Sequence, residues 1–327
     1  MSQTETALQV QKLIRGALKG NRRAVSQLMS LAENNPHARF QILAELYWQS
    51  RSAHVVGITG PPGCGKSTLI AQLAKHYRAQ GRTVGIVAVD PSSQITGGAL
   101  LGDRIRMGEL AADPKVYIRS MATRGNFGGI ARATQDAVRI LEAVNMDYVI
   151  VETAGAGQSD VDIKSLADTT IVTTAPGLGD EIQALKAGIM EIGDIYVVNK
   201  ADKENADRAA QEIYSALIMV ENPDGWKPHV LKTTATTGDG VVALAEAINQ
   251  HSKHLTETGS TRNGNAERIR ADILDAATRY FAEITLRKVT KGKEFERLLS
   301  QVQKRRLDPY TAGRKLAEPR PSRKRAA

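Results

Sequence analysis

Residues 60–67 read Gly60-Pro61-Pro62-Gly63-Cys64-Gly65-Lys66-Ser67, and the apolar run Val55–Thr59 stands directly before them. A stretch with helical character, Thr68–Lys75, follows, so the order is strand, glycine-rich turn and helix. Glycines let the backbone amides of such a turn surround a phosphate, and the helix N-terminus adds positive potential. An ordinary glycine-rich turn, which is the alternative interpretation, requires neither a strand before it nor a helix after it. The segment therefore predicts a P-loop that binds a nucleoside triphosphate through residues 60–68, in which Lys66 reaches the β- and γ-phosphates and Ser67 holds magnesium.

Composition limits the classes of protein that this chain can represent. Of its 327 residues, 42% are hydrophobic, yet no apolar run approaches the ~20 residues that span a bilayer. The polar N-terminus lacks the pattern of a secretory signal. Cys64 is the only cysteine, which excludes an internal disulfide and a Cys/His zinc cluster. We expect a soluble, cytoplasmic protein without membrane contact.

The net charge of +9 raises the question of nucleic-acid binding. Much of the excess lies in the tail from Arg314 to Arg325, where Glu318 is the only acid and two prolines oppose helix formation. Aromatic residues for base stacking are absent there. We expect a solvated, disordered tail and no nucleic-acid partner.

The pattern of apolar residues divides the chain into three parts. Residues 1–52 have the spacing of about three helices, with a break at Asn34-Asn35-Pro36. Residues 53–255 alternate short apolar runs with helical stretches, which predicts an α/β domain with a mostly parallel sheet flanked by helices. The predicted strands are Val55–Thr59, Val84–Val89, Tyr148–Val151, Thr170–Thr174, Tyr196–Val198 and Val230–Lys232. Residues 256–327 contain a linker, two predicted helices and the basic tail. These helices would pack on a partner chain or on the main domain.

A second nucleotide signal follows a later strand. Asn199-Lys200-Ala201-Asp202 comes directly after an apolar run, and the carboxyl ends of parallel strands meet at the ligand-binding edge of such sheets. The Asp202 carboxylate can accept two hydrogen bonds from guanine, whereas adenine offers no such donor pair. We therefore predict guanine specificity. The segment after the next strand, with Thr234, Ala235 and Thr236, could place backbone amides against the base oxygen or could be a polar turn.

A third signal suggests how the terminal phosphate is sensed. The strand Tyr148–Val151 ends in Glu152, and Gly155 follows three residues later. A carboxylate there can hold magnesium through water while the Gly155 amide donates to the γ-phosphate. Asp90 and Asp103 are further candidate metal ligands, with helix capping or turn formation as the alternatives. Gln158, Arg104, Arg106 and Arg124 are the candidates for stabilising the transition state, and for each arginine an exposed surface position is the alternative. We expect slow intrinsic hydrolysis that a partner accelerates.

With these motifs assigned, the chain resembles the MeaB/ArgK/MMAA family of GTPases over nearly its whole length. The residues that carry the resemblance are Val89–Ser93, Thr96–Met107, Arg119–Gly125, Gly128-Gly129, Glu152–Ser159 and Asn199–Asp202. Members of this family are chaperones of coenzyme-B12-dependent acyl-CoA mutases and gate cobalamin loading. The resemblance implies a central G domain with bound GTP or GDP and Mg²⁺, an N-terminal helical region and a C-terminal arm that forms a homodimer.

The resemblance also implies an additional switch that carries signals from the mutase. Its residues here would be Gly177, Asp180, Glu181, Gln183 and Lys186. The chain departs from the family pattern at Ala187, where a second lysine is usual, and at Gln94, where proline is usual.

Together these observations predict a GTPase that acts as chaperone of an adenosylcobalamin-dependent acyl-CoA mutase, methylmalonyl-CoA mutase or a related one. Two alternatives remain. A nickel-delivery metallochaperone GTPase needs closely spaced Cys or His ligands, which one cysteine and six scattered histidines do not supply. A transport-linked ATP-dependent kinase conflicts with the predicted guanine site.

Overall fold

The fold is taken from a computed structural model of the chain. The structure describes residues 3–49, 53–90, 107–122, 132–153, 159–178, 189–218, 225–261 and 292–317, together with shorter pieces between 266 and 282. The chain forms two compact units, Met1–Gly264 and Asn265–Ala327.

The first unit begins with three helices, α1 (Gln3–Leu18), α2 (Arg22–Asn34) and α3 (Pro36–Tyr47). Asparagine side chains start the second and third helices. The Asn21 side chain accepts a hydrogen bond from the Ala24 amide, and that of Asn35 accepts one from the Ala38 amide. Pro36 occupies the first turn of α3, where its missing amide hydrogen costs nothing. The predicted break between the helices is confirmed.

A seven-stranded parallel sheet follows, in the order β3-β2-β4-β1-β5-β6-β7. Its elements, in chain order, are β1 (His54–Thr59), α4 (Lys66–Ala79), β2 (Val84–Asp90), α5 (Gly108–Ala112), β3 (Val116–Ala122), α6 (Arg132–Ala143), β4 (Tyr148–Glu152), α7 (Ser159–Leu166), β5 (Thr169–Thr174), β6 (Ile195–Val198), α8 (Ala206–Leu217), β7 (His229–Lys232) and α9 (Val241–Thr258). The predicted α/β class and all six predicted strands are confirmed.

Apolar cores lie on both faces of the sheet. One core joins the sheet to the N-terminal helices and to α6, α7 and α8. The other packs α4, α5 and α9 against the opposite face. The central strand β1 lies between β4 and β5, so that the loop following Thr59 emerges in the middle of the carboxyl edge.

Strand β3 was not predicted, because its sequence places Arg119 and Ser120 inside an otherwise apolar run. It is an edge strand that pairs only with β2 among the described strands. Arg119 donates to the Glu33 carboxylate on α2, so the charge inside this strand is paired.

The second unit contains α10 (Lys293–Gln303) and α11 (Pro309–Ala317). The predicted disordered tail is wrong at its start, because Arg314 and Lys315 belong to α11. Asp308 caps the start of this helix, because its carboxylate accepts a hydrogen bond from the Thr311 amide at 2.8 Å. Pro309 then occupies the first helical position, which proline favours. The remaining tail residues, 318–327, lie outside the described residues. None of the described helices is long and apolar enough to cross a lipid bilayer.

Candidate functional site

The loop between β1 and α4 has a backbone that requires glycine. Gly60, Gly63 and Gly65 have φ values of 137°, 80° and 96°. A Cβ atom on Gly60 would lie 1.8 Å from the carbonyl oxygen of Thr173 on β5. The loop therefore wraps closely against the carboxyl edge of the sheet, with its amides available to a ligand at the start of α4.

Lys66 and Ser67, the first residues of α4, lie where the P-loop pattern predicts them. The Lys66 side chain is buried, and its Nζ donates to the carbonyl oxygens of Gly60 at 2.6 Å and Pro61 at 3.1 Å. Ser67 Oγ donates to Glu152 Oε1 at 2.6 Å. Because Glu152 ends β4, next to β1, the predicted metal ligands from two elements are in direct contact.

The opposite side of the loop borders a cavity of about 220 Å³. Its lining comes from the P-loop, from the segment after β6 and from the segment after β7, and consists of Gly65, Thr68, Asn199, Lys200, Asp202, Lys203, Thr234, Ala235 and Thr236. The predicted base-reading residues are therefore brought together. Asp202 is exposed at this cavity.

Asn199, in the segment after β6, forms hydrogen bonds to both other segments that line this cavity. Its Nδ2 donates to the Cys64 carbonyl at 2.8 Å, while its Oδ1 accepts from the Ala235 amide at 3.0 Å and from Thr233 Oγ1 at 3.1 Å. Lys200, in a left-handed conformation with φ 56°, donates to the Gly63 carbonyl at 2.7 Å. These hydrogen bonds fix the phosphate loop and the segments after β6 and β7 relative to each other.

Cys64 is fully buried in this loop. Burial raises the pKa of its thiol and outweighs the opposing effect of the Lys66 ammonium. The thiol is therefore protonated at neutral pH, as suits a packing residue rather than a redox switch.

Several predicted residues lie outside the described part of the chain. These are Asp103, Arg104, Arg106, Arg124, Gly155, Gln158, Asp180, Glu181, Gln183 and Lys186, together with Gln94 and Ala187. Gly177 is described and lies in the turn after β5 with φ 89°. Asp90 ends β2, two residues beyond Ala88, which pairs with Glu152.

Sequence analysis missed one residue of the site, Lys203, and the contact made by another, Thr233. Lys203 lines the base cavity, and the only signal in the sequence is its position directly after Asp202. Thr233 supports Asn199 through its buried hydroxyl group. This contact joins residues 34 positions apart and has no signature in either segment.

Four of the six histidines, scattered in the sequence, meet at the amino edge of the sheet. His54 Nε2 and His251 Nδ1 each lie 2.8 Å from Thr169 Oγ1. The Trp226 ring is within about 5.5 Å, centroid to centroid, of His229, His251 and His254. Within the described ranges, no group of three or more His, Cys, Asp or Glu side chains could hold a metal ion. The cluster therefore adds no support for metal delivery.

The contact between Gly65 and Asn199 allows a test of the site. A Cβ atom at Gly65 would lie 2.4 Å from Asn199 Nδ2, so Gly65→Ala must displace the side chain that joins the P-loop to the base segments. We expect guanine-nucleotide affinity to fall about 100-fold, since small misplacements of a site have effects of this size. Gly81→Ala is the control, because Gly81 has φ 80° and nothing within 4 Å of the added atom. Fluorescent-GDP titration measures both variants, and equal affinities would contradict the expectation.

Comparison with known proteins identifies relatives along most of the chain. Residues 25–289 match the family model described as methylmalonyl-CoA mutase-associated GTPase MeaB. A Pyrococcus horikoshii protein named as a candidate GTPase is 48% identical over 93% of this chain and 96% of its own length. The mitochondrial methylmalonic aciduria type A homolog of Mus musculus is 34% identical over 76% of this chain and 65% of its own. A crystal structure of an LAO/AO transport system kinase has a TM-score of 0.70 at 24% identity, covering 97% of each chain, and supports the fold alone.

Proposed function

Since this chain belongs to the MeaB family of methylmalonyl-CoA mutase-associated GTPases, we propose that it is a nucleotide-dependent chaperone of an adenosylcobalamin-dependent acyl-CoA mutase. The chain is a GTPase that binds GTP and GDP and hydrolyses GTP to GDP and phosphate. The family match carries the mutase part of the proposal, and the convergence of Asn199, Lys200 and Asp202 on the P-loop supports the guanine-nucleotide part.

In this proposal, the two sides of the P-loop bind different parts of the nucleotide. On the phosphate side, Lys66 would leave the Gly60 and Pro61 carbonyls and transfer its hydrogen bonds to the β- and γ-phosphates. On the base side, Asp202 would accept the two guanine donors. Thr234, Ala235 and Thr236 line the same cavity. The Thr234 amide donates to the Asp239 carbonyl and the Ala235 amide to Asn199 Oδ1, so of the three amides it is that of Thr236 that would face the base oxygen.

Ser67, near the start of α4, and Glu152, at the end of β4, fit a magnesium ion. A hydroxyl and a carboxylate are the hard oxygen ligands that Mg²⁺ prefers, and Ser67 Oγ and Glu152 Oε1 are 2.6 Å apart. Ser67 and Glu152 would hold the ion, with Asp90 and Asp103 as further candidates. The bound ion would neutralise charge on the β- and γ-phosphate oxygens.

Glu152 also supports a switching role. It directly precedes Thr153, whose hydroxyl donates to Thr59 Oγ1 at 2.9 Å, so the chain leaving β4 is tied to the end of β1. Beyond Thr153, Gly155 would donate to the γ-phosphate, and Gln158 and Arg104 would act on the transition state. Loss of the γ-phosphate would then free this segment and report hydrolysis to the mutase through Gly177, Asp180, Glu181, Gln183 and Lys186.

Three further features belong to the proposal. We place the helical region at residues 1–52, the G domain at 53–255, and the linker, arm and tail at 256–327. The arm would form a homodimer, and exposed apolar side chains within the second unit support this role. They are Ile269, Ile273, Leu274, Tyr280 and Phe281. The proposed location is the cytoplasm.

The test compares mutase binding across nucleotide states. Purified chain is titrated into methylmalonyl-CoA mutase in the empty, GDP-bound and non-hydrolysable-GTP-bound states, and affinity is measured calorimetrically. We expect the GDP and GTP states to differ by at least about fivefold, the lower end of typical allosteric coupling. Glu152→Gln, which keeps the side-chain shape but loses the carboxylate, should reduce this difference. Equal affinity in all three states, for this and for related acyl-CoA mutases, would exclude the chaperone role.

A further inference from the structure

The first two helices carry an excess of positive charge. Between Glu5 and Glu33 the chain has no acidic residue. The basic residues in this stretch are Lys12, Arg15, Lys19, Arg22 and Arg23. The first three are three and four positions apart, so they lie on one face of α1. Val10 and Ile14, on the other face of this helix, are buried in the core, and all five cations except Arg22 are exposed.

The contacts of α2 show where this charge lies in the fold. Arg22, the first residue of α2, donates at 3.2 Å to the carbonyl oxygen of Asp113, just before β3 begins. Glu33, near the other end of α2, accepts from Arg119 in the middle of β3. Helix α2 therefore runs from the amino edge of the sheet towards the carboxyl edge. The end of α1, which precedes it by a short turn, lies at the amino edge.

Helix α3 also ends at the amino edge. Arg39, in its first turn, donates to Asp136 in the first turns of α6. Because α6 ends shortly before β4 begins, its first turns lie towards the carboxyl edge. Helix α3 starts there and ends at Tyr47, and β1 begins at His54 on the amino edge. The ends of α1 and α3 and the start of α2 are therefore at the same end of the helical layer.

Two exposed aromatic side chains stand at the end of α3. Tyr47 and Trp48 are 67% and 83% exposed, and their rings pack edge to face with centroids 5.3 Å apart. Trp, Tyr and Arg are the side chains that contribute most to binding at protein interfaces. Aromatic rings have few rotatable bonds, so they provide contact area at a low cost in conformational entropy. The pair is therefore suited to the centre of an interface.

The cations near this pair are not neutralised by the chain itself. Among the described residues, no carboxylate pairs with Lys12, Arg15, Lys19 or Arg23. Asp113 and Asp147, acids at the same edge of the sheet, are already bound by Arg78 at 2.8 Å and by Arg82 at 3.5 Å. This end of the helical layer therefore has a positive potential, which attracts acidic partners and repels basic ones.

We name these exposed residues the amino-edge surface. Its members are Lys12, Arg15, Lys19, Arg23, Tyr47 and Trp48. Packed helices lie about 8–10 Å apart, so the ends of three helices fit within one interface of about 800 Å² on each partner. The P-loop emerges at the opposite edge of the sheet, and none of these residues lines the nucleotide cavity. A partner can therefore contact the surface whichever nucleotide is bound.

We propose that the amino-edge surface docks an acidic face of the client mutase and holds it in both the GDP and the GTP state. The identity of the partner rests on the proposed function, whereas its acidic character rests on the unpaired cations. Proteins that bind single-stranded nucleic acid present aromatic side chains to successive bases, and this surface offers one pair at a helix end. An interfacial membrane helix needs a continuous apolar face, whereas the outer face of α1 is basic. A protein partner fits both features.

The test changes the charge and the aromatic pair separately in the full chain. One variant is Lys19→Glu with Arg23→Glu, which folding should tolerate because both residues are exposed and an acid suits the first turn of α2. Calorimetric affinity for methylmalonyl-CoA mutase should fall at least about tenfold in both the GDP and the non-hydrolysable-GTP state. Trp48→Ala should cause a loss of similar size. GTP hydrolysis without mutase should stay at the wild-type rate in both variants.

Arg208→Glu with Lys253→Glu is the matched control. These residues lie on α8 and α9, are 78% and 77% exposed, and give the same change in net charge. We expect mutase affinity close to that of the wild type. Raising the salt concentration should weaken binding of the wild type more than that of the charge-reversed variant, because salt screens exposed charges.

The outcomes separate this surface from the chaperone role. Variants that bind the mutase as tightly as the wild type would overturn the docking surface and leave the chaperone role intact. A mutase that binds the wild type equally in every nucleotide state, but binds the variants more weakly, would exclude the chaperone role and support the surface. A wild type that binds no mutase would overturn both. Oligothymidylate and phosphatidylserine vesicles are titrated in parallel, and binding of either that these variants abolish, with mutase affinity unchanged, would assign the surface to another partner.

Discussion

Replacing Asp202 with asparagine is expected to reduce the preference for GTP over ATP by up to about 10⁴-fold. The Asp202 carboxylate lies at the base cavity and presents only acceptors, which match the ring N–H and the exocyclic amine of guanine. An asparagine offers one acceptor and one donor, so its amide group would face the guanine amine donor to donor. Competition between GTP and ATP for a fluorescent nucleotide measures the change.

Xanthosine triphosphate makes this test sharper, because xanthine has an oxygen where guanine has its amine. The asparagine of Asp202→Asn should pair with both positions, so affinity for xanthosine triphosphate should rise as that for GTP falls. Asp207→Asn is the control, since Asp207 is an exposed carboxylate five positions away that pairs with Lys232. Retention of the wild-type GTP preference in Asp202→Asn would remove Asp202 from base recognition.

The parts of the fold that sequence analysis predicted are those decided by short-range patterns. Strands β1 and β6 are buried on both faces, so they appear as short apolar runs. Strand β3 escaped prediction because the charge of Arg119 is satisfied by Glu33, a residue 86 positions away. Helix α11 escaped prediction because it runs into the basic tail, whose composition indicates disorder, and its only start signal is Asp308 followed by Pro309.

The candidate site also has parts that short-range sequence patterns predict and parts that they do not. The P-loop and the segment Asn199–Asp202 are contiguous, and their backbone requirements are visible as glycines and as a polar strand end. The contact of Thr233 with Asn199 and the ion pair of Arg39 with Asp136 depend on side chains brought together by the fold. Ion pairs across about a hundred residues have no spacing signal, since loop closure favours no particular separation strongly. Such contacts can be predicted only when the order of the strands in the sheet is known.

Replacing Lys66 with alanine is expected to slow single-turnover GTP hydrolysis about 10²- to 10³-fold, the usual loss on removing one preorganised donor to developing charge. In the structure, Lys66 is only 6% exposed, and its ammonium group contacts the Gly60 and Pro61 carbonyls. A compact ammonium group would fit between the loop and the phosphates of a bound nucleotide, whereas a guanidinium is wider and planar. Lys66→Arg should therefore fail to restore the rate although it keeps the charge.

Lys75→Ala on the same helix separates this effect from a general loss of positive charge. Lys75 is half-exposed and pairs with Glu109, so removing it changes the net charge as much as Lys66→Ala does while leaving the loop untouched. We expect wild-type hydrolysis from Lys75→Ala, measured as phosphate release from preformed complexes. GDP affinity should fall less in Lys66→Ala than the hydrolysis rate, because the γ-phosphate and the developing charge are present only with GTP. Equal losses in GDP affinity and in rate would mean that Lys66 only binds phosphate and does not stabilise the transition state.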